Sequence, residues 1–363
     1  MGLRLPQQTL ARHRQHKICG EHCYLRTDEL IMLTTLENSI EEQLHSLDNL
    51  QQEIARVIVG QKPVVEQMLI CLLAGGHALL EGVPGLGKTL LVKTLADASA
   101  LDFKRVQFTP DLMPGDILGS EILEEDHSTG KRFFKFQQGP VFTNILLADE
   151  INRTPPKTQA ALLESMQEGS VTVGGKTLKL PDPYFVLATQ NPIEQAGTYP
   201  LPEAQLDRFL LNIHINYPDE RDEVEILRST TGASRVKPSP SLDAEQLREM
   251  QQLVREIHVS DDLYRYVAAL VRATRMETSG SDTLQQWIKW GAGPRAGQAL
   301  ILAAKARALL QRRLAVTRED IRSLLLPVLR HRVLLSFQAQ ADGVQMPQLI
   351  EELLTAVPEP GRD

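Results

Sequence analysis

Eight consecutive residues, Gly82, Val83, Pro84, Gly85, Leu86, Gly87, Lys88 and Thr89, have the spacing of a loop that holds phosphates. Glycines at its first and sixth positions let backbone N–H groups turn inward around phosphate oxygens. Lys88 can then reach the outer phosphates, and the Thr89 hydroxyl is a ligand for Mg²⁺. Leu90 opens an apolar run, so a helix N-terminus with its partial positive charge would face the same anion. A second pair supplies negative charge: Asp149 and Glu150 close the run "ILLA". An acid at a strand's C-terminal end lies where open α/β sheets bind ligands. Asp149 would complete the Mg²⁺ shell, and Glu150 would take a proton from an attacking water. Two acids rather than one shift the reading from nucleotide binding towards hydrolysis. The bland alternatives are a chance glycine turn and a solvated acidic strand end. A strand before the loop and a helix after it argue against the first, and the presence of both motifs in one chain argues against the second.

These side chains need a sheet to hold them. "HALLEG", "FKRVQFT", "NILLADE", "YFVLATQN" and "LLNIHINY" read as short strands, the apolar ones buried. The intervening runs "TLLVKTLADASA" and "KTQAALLESMQEG" have helical spacing. Residues 36–59 also have it, as does "PVVEQMLICLLAGG" with Pro63 in its first turn. Strands alternating with helices predict a parallel sheet covered on both faces. The stretch 111–141 reads as irregular, broken by turn signals at Pro114, Gly130 and Gly139. "SVTVGGKTLKL" predicts a hairpin about Gly174 and Gly175. The alternation stops near Tyr217, a Pro-containing link follows, and from Leu242 the chain reads as helices only. The expected fold is thus α/β, a three-layer core with a parallel sheet over residues 36–217, then an all-α lid over 218–363. Residues 1–35 read as an N-terminal extension without packed structure.

A length of 363 residues fits two domains. Hydrophobic content of 42% and charged content of 23% suit a globular chain with a full core. The net charge of −7 argues against sequence-independent nucleic-acid binding, which needs Lys and Arg against phosphates. Three cysteines, Cys19, Cys23 and Cys71, give no disulfide framework, so a reducing cytoplasm is expected. No apolar run reaches the ~20 residues of a membrane helix, and the first residues lack the apolar centre of a signal peptide. His13, His16, Cys19, His22 and Cys23 could bind zinc by type, but their spacing lacks a paired knuckle, and a solvated tail is the simpler reading.

Glu150 continues as "INRTPPKTQAALLESMQEGSVTVGG", and "FVLATQNPIEQAGTYPLPEAQLDRF" and "GAGPRA" follow. This ordered series resembles the MoxR family of AAA+ ATPases, from about Leu47 to about Phe337. The resemblance implies roles for further residues. Asn191 falls on the sensor-1 position that orients water, although a turn-forming Asn before Pro192 would look the same. Arg208 matches the arginine finger supplied across a subunit boundary, with a surface ion pair to Asp207 or Glu203 as the alternative and Arg153 as a rival. Arg295 matches sensor 2, acting on its own or a neighbour's nucleotide, and could instead be an ordinary lid arginine. Gly60 and Gln61 match the segment lining the adenine pocket. The stretch about 117–141 resembles the helix-2 insert, and "TVGGKTLKL" the insert before sensor 1. In that family both inserts project towards the axis or face of a ring.

The resemblance implies a homo-oligomeric ring, a hexamer, using ATP and Mg²⁺ to remodel or mature a protein client, by chaperone-like assembly or metal-cofactor insertion. It implies a separate partner carrying a von Willebrand factor A domain. Other classes share the fold: a nucleic-acid motor or loader, a chelatase-type motor subunit, or a nucleotide-gated scaffold. The acidic balance disfavours the first, "GTYPLPEAQLDRF" the second, and an intact Glu150 the third.

Overall fold

The computed structural model describes residues 27–363 apart from 126, 129, 131, 193–196, 233–235 and 360–363, with side chains from residue 40 onward. The His/Cys cluster at 13–23 lies outside the described residues. Helix α1 (Thr27–Val57) begins ahead of the expected start at residue 36. It is followed by α2 (Lys62–Leu73), β1 (Ala78–Glu81), α3 (Lys88–Ala98), β2 (Phe103–Gln107) and the short α4 (Pro114–Leu118).

Five strands form one sheet in the order β2-β5-β8-β1-β9, with β5 Ile145–Asp149, β8 Phe185–Gln190 and β9 Leu211–His214. Every neighbouring pair is parallel. Alternate residues of each strand enter opposite apolar clusters. Leu80, Leu147, Leu187 and Leu211 pack with α1, α2 and α3, whereas Leu79, Leu146, Val186 and Ala188 pack with α5 (Pro156–Glu168). That period-2 division produces the three layers, and it explains why the central strands are apolar throughout.

Two antiparallel hairpins leave this core. β6 (Ser170–Val173) and β7 (Lys176–Lys179) turn through Gly174 and Gly175, whose φ values of 57° and 77° suit the expected tight turn. β3 (Gly119–Glu125) and β4 (Arg132–Gln138) form a regular seven-pair hairpin where the sequence reads as irregular. The reason is that neither of its faces is buried. Ile122 and Phe133 are exposed on one face, Leu123 and Phe134 on the other, so no alternation marks the strands.

After β9 come α7 (Glu220–Thr231), α8 (Ala244–Glu256), α9 (Asp261–Ala273), α10 (Asp282–Trp287), α11 (Pro294–Leu310), α12 (Arg318–Leu329), α13 (Phe337–Ala341) and α14 (Met346–Ala356). Within this helical part a small ribbon pairs β10 (Ile288–Trp290) with β11 (Leu334–Leu335), strands too short to show in a periodicity. α6 (Glu203–Leu206) is a single turn ahead of β9.

The change from sheet to helices near Tyr217 is a change of secondary structure and not of core. One apolar cluster runs from Leu47, Leu69 and Leu95 through Met250, Leu270, Leu300 and Leu324 to Leu353. Polar pins reinforce it. Arg307 bonds Glu66 of α2 at 3.2 Å and the buried Asp320 at 2.7 Å. Burial alone would raise the Asp320 carboxyl, but bonds from Arg313, Thr317 and Arg307 hold it below its usual range.

Candidate nucleotide site

The phosphate loop leaves the C-terminal end of β1 and enters α3. Gly82 has no room for a side chain: a Cβ would lie 2.8 Å from the Ile215 carbonyl oxygen. Gly85 and Gly87 have φ of 88° and 72°, a backbone that L side chains adopt only with strain. Lys88, in the first turn of α3, donates to the Gly82 carbonyl and, at 3.4 Å, to the Gln190 carbonyl. Partial burial pushes its ammonium pKa down, and the charges of Asp149, Glu150 and Glu81 work in the opposite sense. Thr89 follows, half-buried, with Leu90 exposed beside it.

Sheet register delivers the acids. β1 and β8 pair Glu81 with Gln190, while β8 and β5 pair up to Ala188 and Ala148. Asp149 therefore ends its strand one residue beyond the ladder, next to Thr189. The Asp149 Oδ1 accepts from the Thr189 hydroxyl at 2.6 Å, and Oδ2 accepts from Arg105 at 2.6 and 3.1 Å. Glu150 turns out of the strand with φ 58°, a left-handed conformation costly for a residue with a Cβ. Its N–H donates to the Thr189 hydroxyl at 2.9 Å. Its carboxylate accepts from Gln107 at 2.7 Å and from Arg153 at 3.0 Å. Asn191, 5% exposed, follows directly on β8.

Beside the loop lies a cavity of about 430 Å³ with mainly apolar walls, among them Val57, Ile58, Pro84, Leu86, Tyr217 and Ile226. Gln61 lines it. Gly60 stands behind, where a Cβ would meet the Asp222 carboxylate at 2.0 Å. The donor set fits a magnesium nucleotide: an apolar slot for a base, glycines and an ammonium for phosphates, and a hydroxyl and a carboxylate for the metal.

Arg208 and Arg295 are elsewhere. Leu211, the first residue of β9, pairs with Ala78, the first of β1, so Arg208 stands beyond the edge of the sheet opposite the phosphate loop. Both arginines line a separate cavity of about 250 Å³ with His77, Met166, Asp207 and Arg332. Arg295 lies 3.8 Å from the Asp207 carboxylate and is half exposed. Asp207 is held more tightly by Arg332 at 2.7 Å, and the remaining Arg332 N–H groups reach the carbonyls of Phe209, Leu210 and Val328. The Arg208 side chain makes no ion pair with Asp207 or Glu203. Arg153, its rival, is bonded to Glu150 of its own chain.

Three polar contacts at the acids escaped the sequence reading: Thr189, Arg105 and Gln107. Thr189 had a visible signal, a hydroxyl inside the apolar run "FVLA-T". Arg105 and Gln107 become meaningful only once β2 is known to pair with β5, which sets Gln107 against Asp149. No described helix is long and apolar enough to cross a membrane.

Residues 77–211 match the ATPase family associated with various cellular activities (AAA), and residues 283–353 match the AAA lid domain. The protein is 44% identical over 319 residues to a Mycobacterium tuberculosis protein named Chaperone MoxR1, covering 88% of this chain and 83% of that one. It is 42% identical over 322 residues to the uncharacterized YeaC of Bacillus subtilis, covering 88% and 97%. It is 32% identical over 323 residues to the MoxR protein of Paracoccus denitrificans, covering 84% and 93%. A solved structure of a candidate ATPase from Cytophaga hutchinsonii superposes with a TM-score of 0.84 at 41% identity, covering 90% of this chain and 99% of that one. With its phosphate loop, paired acids and helical lid in this order, the chain belongs to the MoxR-type AAA ATPases.

Proposed function

We propose that this ATPase works as a ring in which each catalytic site is shared by two copies of the chain. The carrying observation is the separation of Arg208 and Arg295 from the phosphate loop by the length of the sheet. Within one chain Lys88 and the loop N–H groups bind the phosphates, Asn191 orients the attacking water, and Glu150 accepts its proton. Thr89 and Asp149 would hold Mg²⁺, which supplies charge neutralisation between the phosphates. Arg208 of a neighbouring copy stabilises charge on the transferring group, and Arg295 approaches from the same side.

The name of one relative, Chaperone MoxR1, supports a chaperone-like role; action on a protein client, in complex assembly or metal-cofactor insertion, is what the family resemblance adds. A hexamer, and a partner with a von Willebrand factor A domain, complete this reading. The exposed aromatic hairpin β3–β4 is a surface through which motion could reach such proteins.

The test is steady-state ATP hydrolysis against protein concentration for wild type, Glu150→Gln, Arg208→Ala and mixtures of the two variants. Turnover that rises with concentration, two inactive variants and partial recovery on mixing are expected. An Arg208→Ala protein that remains active when dilute would exclude the shared site.

A further inference from the structure

We infer that Thr189 is a positioning residue that fixes both acids of the site through one hydroxyl. The inference rests on the reading of Asp149 and Glu150 given above. Thr189 is fully buried in β8 between β1 and β5. A hydroxyl has one hydrogen to give and lone pairs to receive. Here the hydrogen goes to Asp149 Oδ1 at 2.6 Å, and a lone pair receives the Glu150 N–H at 2.9 Å.

The location explains the need. The backbone ladder between β5 and β8 stops at Ala148 and Ala188. Beyond it the chain must turn so that the Glu150 side chain leaves the strand direction, which it does at φ 58°. That turn takes the Glu150 N–H away from any backbone acceptor of β8, and a buried N–H without a partner is costly. The Thr189 hydroxyl takes the place of the missing ladder bond and stabilises the left-handed turn. The same atom directs Asp149 Oδ1, while Arg105 occupies Oδ2. The carboxylate is thus held from two sides, and the backbone that carries Glu150 is tied to it. Partners of this kind, one step removed from the metal or substrate, set ligand orientation.

The experiment compares Thr189→Val, which keeps shape and removes both bonds, with Thr189→Ser, which keeps both bonds and removes a methyl group. Thr189→Ala serves as a second hydroxyl-free variant, and thermal melts report folding. In the full chain, binding of a fluorescent ATP analogue is titrated with Mg²⁺, binding of the same analogue is repeated in EDTA, and kcat is measured. Thr189→Val is expected to raise the Mg²⁺ midpoint and lower kcat, each by about 10–100-fold. Binding in EDTA should be unchanged, and Thr189→Ser should restore both quantities. A Thr189→Val protein with wild-type midpoint and kcat, or a Thr189→Ser protein as impaired as Thr189→Val, overturns the inference. So does failure of both hydroxyl-free variants to fold, since the hydroxyl is then a folding element. Glu150→Gln is run alongside: if it retains turnover, the underlying reading of the acids fails, whereas a dead Glu150→Gln beside a normal Thr189→Val defeats only the role given to Thr189.

Discussion

The two ends of the central sheet are built in different ways. At the C-terminal end, Gly82 to Thr89 form one unbroken segment, and the acids are adjacent residues, Asp149 closing β5 and Glu150 turning out of it. At the N-terminal end, Arg208 and Arg295 come from segments far apart in the chain and meet around Asp207 and Arg332. The first end carries donors and acceptors that suit a bound nucleotide. The second carries positive charge on a face with no nucleotide loop of its own. The difference teaches that the two groups of residues stand at opposite ends of one sheet, and the ring proposed above is the arrangement that would bring them together.

The largest effect should come from deleting the charge at the second end. Arg208→Ala should lower kcat by about 10³–10⁵-fold, the range for an arginine acting on a transferring phosphoryl group, with nucleotide binding retained. Rapid-quench turnover together with equilibrium nucleotide binding would separate the two effects. If Arg208→Ala weakened binding as severely as Lys88→Ala, the two ends would not divide the work in this way. Next, Glu150→Gln should lower kcat by about 10²–10⁴-fold, the contribution of a positioned general base. It should leave subunit association intact, as read by sedimentation.

Asp207→Asn acts on stability. Arg332 is only 4% exposed in its side chain and depends on that carboxylate. The amide removes the negative charge and leaves a buried guanidinium with neutral acceptors alone, at a cost of about 3 kcal/mol. Urea unfolding should show the loss, and a neutral result would mean that uncharged acceptors, the amide oxygen with the carbonyls of Phe209, Leu210 and Val328, suffice.

The smallest effect concerns pH. Burial pushes the His77 imidazole down to about 4, against a weaker upward influence from its bond to the Met166 carbonyl. Its ring also accepts from the Val186 N–H, so the neutral form is built into the fold. Above pH ~6.5 the ring is neutral in folded and unfolded chains alike, and stability is at its plateau. Between pH ~6.5 and ~4 the unfolded chain takes up a proton that the folded ring refuses, so stability falls as pH falls, by about 1.5 kcal/mol from pH ~6.5 to ~5. His77→Gln should be less stable at neutral pH yet lose less between pH 6.5 and 5 in urea titrations. An equally steep loss would place the pH dependence elsewhere, for example at His331, which is also buried and held well below its usual pKa.

Sequence alone determined the phosphate loop, Lys88, Thr89, the paired acids and the alternation of strands with helices. Each of these is written in neighbouring residues, where backbone conformation and strand burial are set locally. It could not determine which groups hold the acids. Thr189 lies 40 residues from Asp149 and acts through a single hydroxyl. Nor could it reveal the hairpin of β3 and β4, whose exposed faces leave no periodic trace. Only the tertiary structure decided that Arg208 and Arg295 stand together and away from the phosphate loop. Parallel pairing fixes every strand's start at one edge and its end at the other, and Arg208 precedes a strand whereas the loop follows one.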